Sequence, residues 1–334
     1  MKPDFETFFN LYQKVRSWPT EYMQSSCEID YQFAHTGEFY NSSIPEIFHL
    51  SGFIFADQNT NEKKCLFGFW ETIDDIDLNR TEFKKLEDWA KSKGAVEIIG
   101  PVNGSTYRQY RFQLDNFDER PYLGSPSTPF YYDKILEKLG MSLAKTYTSY
   151  LVKSQRPLND WLLQNRLNLS IKTMTHQYRF ISPLQTDWDQ LLPKLYRGAD
   201  EIFGDNFIYS PITYQEFSLR YGRQFQKLLC PASSRLVLDK NDNPIGAGLC
   251  FPDPLAPKNT PRLLIRTLGI ETQHRQFGAT YLRLIHEMAK ESLNLYQEFM
   301  FCLMREGNLP DLMGKELADT RFHYSIVKNG LLPM

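Results

Sequence analysis

The run from Arg262 to Glu291, RLLIRTLGIETQHRQFGATYLRLIHEMAKE, constrains this chain more than any other stretch: an apolar strand, a polar turn with one glycine, then an amphipathic helix. Leu263 to Ile270 is short, apolar and bounded like a buried strand, while Tyr281, Leu282, Ile285, Met288 and Ala289 keep the 3.6-residue period of a helix packed on one face. Such a turn leaves the first N–H groups of the helix unpaired at its positive dipole end, where a phosphate can accept them. Gly278 in that turn allows close approach of a ligand to the backbone.

The flanks extend the pattern. Glu298 to Met304 reads as a second apolar strand, followed by Arg305-Glu306-Gly307-Asn308, a short helical stretch LPDLMGKELAD and a strand RFHYSIV. Upstream, SSRLVLDKNDNPIGAGLCF predicts a hairpin with Asp-Asn-Pro turn chemistry, and helices are expected over Trp188 to Phe203 and Tyr214 to Phe225.

The turn Arg275-Gln276-Phe277-Gly278-Ala279-Thr280 resembles the pyrophosphate loop of the GCN5-related N-acetyltransferase superfamily, Gln/Arg-x-x-Gly-x-Gly/Ala between the fourth strand and the third helix. Thr280 departs from the pattern, standing where the superfamily has a smaller residue. The order of elements resembles that superfamily from about His176 to Leu332, a domain's length.

At 334 residues the chain exceeds what one core usually supports, so two domains are expected. The first half repeats the layout: a hairpin SGFIFADQNTNEKKCLFGFW, a helix TEFKKLEDWAKSKG, a strand AVEIIG, a helix PFYYDKILEKLG and a strand AKTYTSYLV. This duplication resembles the tandem members of the superfamily. The expected fold is α/β (α+β): two tandem acyl-CoA N-acyltransferase-like domains, each a mixed, mostly antiparallel sheet flanked by helices. Their boundary is placed near residue 155, at the polar stretch KSQRPL, giving domains 1–155 and 156–334.

The halves differ where chemistry would occur. In the first, Asp74, Asp75 and Asp77 precede the helix and would repel a pyrophosphate, so this half is expected to lack a coenzyme site. Its strand AVEIIG is followed by a long loop, residues 100–129, before the next helix. The loop's ends, Gly100-Pro101-Val102-Asn103-Gly104 and Ser127-Thr128-Pro129-Phe130-Tyr131-Tyr132, resemble signatures of a bacterial group of tandem acyltransferase-like proteins. Asn103, Tyr107, Arg108, Tyr110, Arg111, Tyr131 and Tyr132 offer groups that either bind an acceptor or pack the loop in place.

The resemblance implies acetyl-CoA or another acyl-CoA as co-substrate, no metal, and direct attack of a primary amine on the thioester. It implies that the fourth and fifth strands splay, that amides near Leu268, Gly269 and Ile270 hold the pantetheine arm, and that Gln273, His274, Arg275, Gln276, Phe277, Gly278, Ala279 and Thr280 hold the pyrophosphate, with Asn308 beyond the fifth strand. Proton transfer would fall to Tyr324, Glu306 or His323, with Glu271 a further candidate. The acceptor would be a small molecule, an amino acid or a peptide. A silent acyl-CoA binder and an aminoacyl-tRNA-dependent transferase remain alternatives, the latter disfavoured by the lack of a Lys/Arg-rich block.

A net charge of −2 gives no global attraction to nucleic acid or acidic membranes. With an acidic start and no long apolar run, the chain is expected to be cytoplasmic. Cys27, Cys65, Cys230, Cys250 and Cys302 are odd in number, widely spaced and without ligand spacing, so they are expected to be buried thiols.

Overall fold

The computed structural model describes residues 4–16, 20–57, 60–164, 169–204, 206–307 and 309–331. The chain divides into unit 1, Met1–Tyr147 with Phe207–Ile212 and Phe322–Met334, and unit 2, Thr148–Asn206 with Thr213–Arg321.

Unit 1 opens with helices α1 (Phe5–Val15) and α2 (Gln24–Ala34), then the strands β1 (Phe39–Ile44), β2 (Phe48–Ala56) and β3 (Lys63–Thr72). Helix α3 (Ile76–Ser92) leads to β4 (Glu97–Gly100), and the long loop carries a short β5 (Phe112–Gln113) before α4 (Tyr131–Lys138) and β6 (Ser142–Val152). β1–β2 and β2–β3 are antiparallel and β3–β4 is parallel. Helix α3 forms because Asp75 caps it and Phe83, Leu86 and Ala90 share one face, which they bury with Phe67, Trp70 and Ile98. It starts earlier than the periodicity suggests, since the Asp75 carboxylate accepts from the N–H groups of Asp77 and Leu78.

Unit 2 begins with α5 (Gln155–Gln164) and α6 (Leu169–Thr175), two helices that the sequence reading leaves as a lead-in. Then come β7 (Arg179–Ile181), α7 (Trp188–Phe203), α8 (Tyr214–Tyr221), α9 (Arg223–Leu228), β8 (Arg235–Leu238), β9 (Pro244–Pro252), β10 (Arg262–Ile270), α10 (Ala279–Ser292), β11 (Glu298–Arg305) and α11 (Leu309–Leu317), after which the chain returns to unit 1 in β12 (Thr320–Gly330). The single helix expected over Tyr214 to Phe225 is two, because Gly222 is extended between them. The strand order is β7-β8-β9-β10-β11 followed by the second half of β6. Ile285, Met288 and Ala289 of α10 enter its core with Phe299 and Phe301 of β11, as the helical period requires; Tyr281 and Leu282 pack partly buried against it.

A single cut near residue 155 does not describe these units. The division falls within β6, and β12 closes unit 1, where Val327 to Gly330 pair antiparallel with Gly100 to Glu97. The place beside β4 is therefore taken by the last strand of the chain, and the place beside β11 by β6. All five cysteines are buried and free.

Candidate functional site

The parallel ladder of β10 with β11 runs from Arg262↔Glu298 to Ile265↔Phe301. At that point β10 bulges, its register with β9 shifting between Ile265 and Thr267, and it continues to Ile270 paired with β9. The two strands therefore part, as expected, beyond their fourth pair. The free edge is narrower than expected. Ile270 N–H points away from β9, donating to the Tyr281 hydroxyl at 3.3 Å, and Arg275 Nε donates to the Ile270 carbonyl at 3.0 Å. Leu268, two residues earlier, presents its N–H and C=O to the same edge, while those of Gly269 turn to β9, because backbone direction alternates along a strand. Of the three amides expected at the pantetheine arm, those of Gly269 and Ile270 are, respectively, turned to β9 and bonded to Tyr281, and that of Leu268 faces the free edge.

The turn before α10 is similarly selective. The N–H groups of His274, Arg275, Gly278, Ala279 and Thr280 are bonded to carbonyls of the turn itself. Among the described residues, those of Gln276 and Phe277 have no backbone partner. Arg275 is right-handed and is followed by three residues of positive φ, Gln276 at 47°, Phe277 at 53° and Gly278 at 90°; the right-to-left step from Arg275 to Gln276 is the kind that turns successive N–H groups toward one concavity. At Gly278 an added Cβ meets nothing within 4 Å, so the glycine serves the left-handed backbone and leaves open space in front of it. Thr280 does not narrow that space: it is fully buried and its hydroxyl donates to the His274 carbonyl at 2.6 Å. Tyr178 anchors the turn, its hydroxyl 3.1 Å from His274 Nδ1 and accepting from Gln276 Nε2 at 3.3 Å.

Glu271 follows β10 directly. It is buried beside Gln273 and His274, and burial raises its carboxyl pKa above the usual range. Glu306 is exposed in the turn after β11, and Asn308 lies outside the described residues. Tyr324 and His323 are on β12 in unit 1, not in unit 2 with the turn before α10, because that strand pairs there. Tyr324 is 1% exposed, opposite Gln113, and His323 Nδ1 lies 2.5 Å from the Asp115 carboxylate.

In unit 1 the corresponding features are closed from within. Asp75 occupies the helix amides that a phosphate would take. The edge of β3 is occupied by the chain that follows β4: Val102 N–H donates to the Phe67 carbonyl at 2.6 Å, and the Val102 carbonyl presses so closely on Gly68 that no Cβ fits there, with Asn103 Cα only 2.7 Å from its ideal position. Asn103 Oδ1 accepts from Phe69 N–H at 2.6 Å. Asn103 thus fills the gap between the strands.

Tyr131 donates to the Thr72 carbonyl at 2.8 Å and Tyr132 to Glu71 at 2.9 Å, closing the end of β3. Glu71 in turn pairs with the buried Arg16 at 2.5 Å, whose other donors hold the Pro126 and Ser127 carbonyls of the long loop. Tyr107 shares a 2.9 Å hydrogen bond with Tyr209, and Arg108 donates to the Asn103 carbonyl. Tyr110 and Arg111 lie together, the guanidinium over the tyrosine ring. Sequence reasoning missed Asp75 as a cap, Gly68 as the point of closest approach and Arg16 as the loop's anchor. Only Asp75 carried a local signal, a cap residue directly ahead of the helix.

No protein-family model and no curated protein matches the chain. Solved structures do. A tandem GNAT protein from the clavulanic acid biosynthesis pathway is 11% identical with a TM-score of 0.53, the match covering 100% of this chain and 97% of that one. The chain has the GCN5-related N-acetyltransferase fold. A protein of Enterococcus faecalis V583, described as a probable N-acyltransferase, is also 11% identical, with a TM-score of 0.55 over 98% of this chain and 70% of that one. In unit 2, β10 and β11 part ahead of the turn before α10, while unit 1 keeps a hairpin, a helix and a parallel strand with the gap filled. Among the described residues, no helix is long and apolar enough to cross a membrane, and no cluster of three or more His, Cys, Asp or Glu could hold a metal ion.

Proposed function

We propose that the chain is an acyl-coenzyme A-dependent N-acyltransferase that binds its coenzyme in unit 2 alone and acts on the primary amine of a small molecule, an amino acid or a peptide. The observation that carries this reading is the combination in unit 2 of a strand edge left open after Ile265↔Phe301 and an outward-facing turn at Gln276 and Phe277, against a unit 1 in which both features are closed. Acyl-CoA, when bound, supplies an activated thioester. The Leu268 amide would hold the arm, the Gln276 and Phe277 amides would hold phosphate oxygens, and Arg275, tied through Nε to Ile270, would offer its remaining donors. Glu271 is the acid/base group that we assign in unit 2: burial favours its protonated form, which lets it exchange a proton nearer neutral pH than an exposed carboxylate does.

The test is release of free thiol from acetyl-CoA in the presence of a panel of primary amines. Turnover with at least one amine, rising with pH as the amine deprotonates, is expected. Coenzyme binding without thiol release from acetyl-CoA or longer acyl-CoAs, whichever amine is offered, contradicts the transferase reading and leaves a silent binder.

A further inference from the structure

Unit 1 holds a buried cation that the coenzyme reading does not use. Among the described residues, the other arginines with buried side chains are compensated: Arg16 by Glu71, Arg220 by Glu216, Arg262 by Asp253 and Glu298, and Arg235 by the carbonyls of Pro231 and Ser234. Arg111 is 7% exposed and has no carboxylate partner among the described residues. Its guanidinium carbon lies 3.6 Å from the Tyr110 ring centroid and 3.7 Å from that of Tyr147. Its hydrogen bonds go to the hydroxyls of these two tyrosines, and its Nε is buried without any partner.

We propose that Arg111, held between the rings of Tyr110 and Tyr147, binds the carboxylate group of a small monocarboxylate ligand. A guanidinium is a forked donor matched to a carboxylate, and its burial without an anion is unfavourable. The surrounding hydroxyls are neutral and can turn from acceptor to donor when an anion arrives. One positive charge balances one carboxylate, whereas a phosphate dianion would leave uncompensated negative charge in the same buried place. Burial lowers the Arg111 pKa to about 10, so the group stays charged at neutral pH. The site stands on unit 1 alone.

The experiment is thermal unfolding of the full chain with acetate as the probe, and with chloride and inorganic phosphate at matched ionic strength. The midpoint is expected to rise with acetate concentration, as it does for any ligand of the native state, and to rise less with chloride or phosphate. An acetate response no larger than that to chloride overturns the proposal, and this comparison needs no variant. Arg111→Met is expected to match or exceed the wild-type midpoint in chloride and to lose the acetate response. An undiminished response in that variant, or a large drop of its midpoint in chloride, overturns the argument, the latter because the tyrosine rings alone would then compensate the charge. Calorimetric coenzyme A binding is expected to be unchanged in Arg111→Met, which separates failure of this site from failure of the coenzyme reading.

Discussion

Replacing Asn103 with alanine distinguishes a residue that fills the unit 1 gap from one that contacts an acceptor. Asn103 Oδ1 accepts the Phe69 N–H at 2.6 Å, and both residues are buried. Phe69 is left-handed, at φ 46°, where the register of β3 with β2 shifts, so its amide depends on this side chain. Asn103→Ala strands that donor away from water, which costs roughly 1–3 kcal/mol. A loss of about 2 kcal/mol corresponds to a fall in midpoint of roughly 4–8 °C for a unit of this size. Urea unfolding followed by tryptophan fluorescence, with thermal unfolding beside it, measures the loss, and calorimetry of coenzyme A should show unchanged affinity. A stability change below about 0.5 kcal/mol, the range of ordinary surface substitutions, refutes the reasoning and returns Asn103 to the acceptor site.

Two further expectations concern unit 1. Asp75→Ala should cost about 1 kcal/mol by removing a helix cap, yet should add no second coenzyme site, because the strand gap stays filled; two sites per chain in calorimetry would contradict this. Burial holds His35 and His49 down at about 4, against an ordinary 6.5, and His49 is fixed as the neutral tautomer that donates from Nδ1 to the Phe69 carbonyl and accepts at Nε2 from Tyr31. Between those values the unfolded chain binds protons that the folded chain does not. Stability is therefore fully present above about 6.5 and falls as pH drops toward 4. Urea midpoints across this window should show that fall, with a shallower one in His49→Gln; equal slopes contradict the assignment.

Much of the fold was legible because its signals are local. The strand, turn and helix from Arg262 to Ser292 carry their own periodicity, and the hairpins carry their own turns. The pairing partners of β6 and β12 were not legible, since both read as apolar strands and nothing local selects which sheet edge each closes. That choice moves Tyr324 and His323 into unit 1. Helix α5 was missed because Gln155, Arg156, Pro157, Asn159 and Asp160 give it a polar, loop-like composition that hides Leu158, Trp161 and Leu162, which are buried in unit 2. At the candidate site, residue types were visible, but which amides stay free was not: Tyr281, Arg275 and the turn's own carbonyls decide that by long-range geometry.

The central claim is that one unit of the two binds the coenzyme. Calorimetric titration of the full chain with coenzyme A, in the wild type and in Gly278→Glu, tests it most directly. The substitution puts a carboxylate into the open space before Gln276 and Phe277. One site per chain in the wild type and none in the variant, with the fold intact by circular dichroism, is the predicted result. Unchanged binding in Gly278→Glu, or two sites per chain in the wild type, contradicts the account.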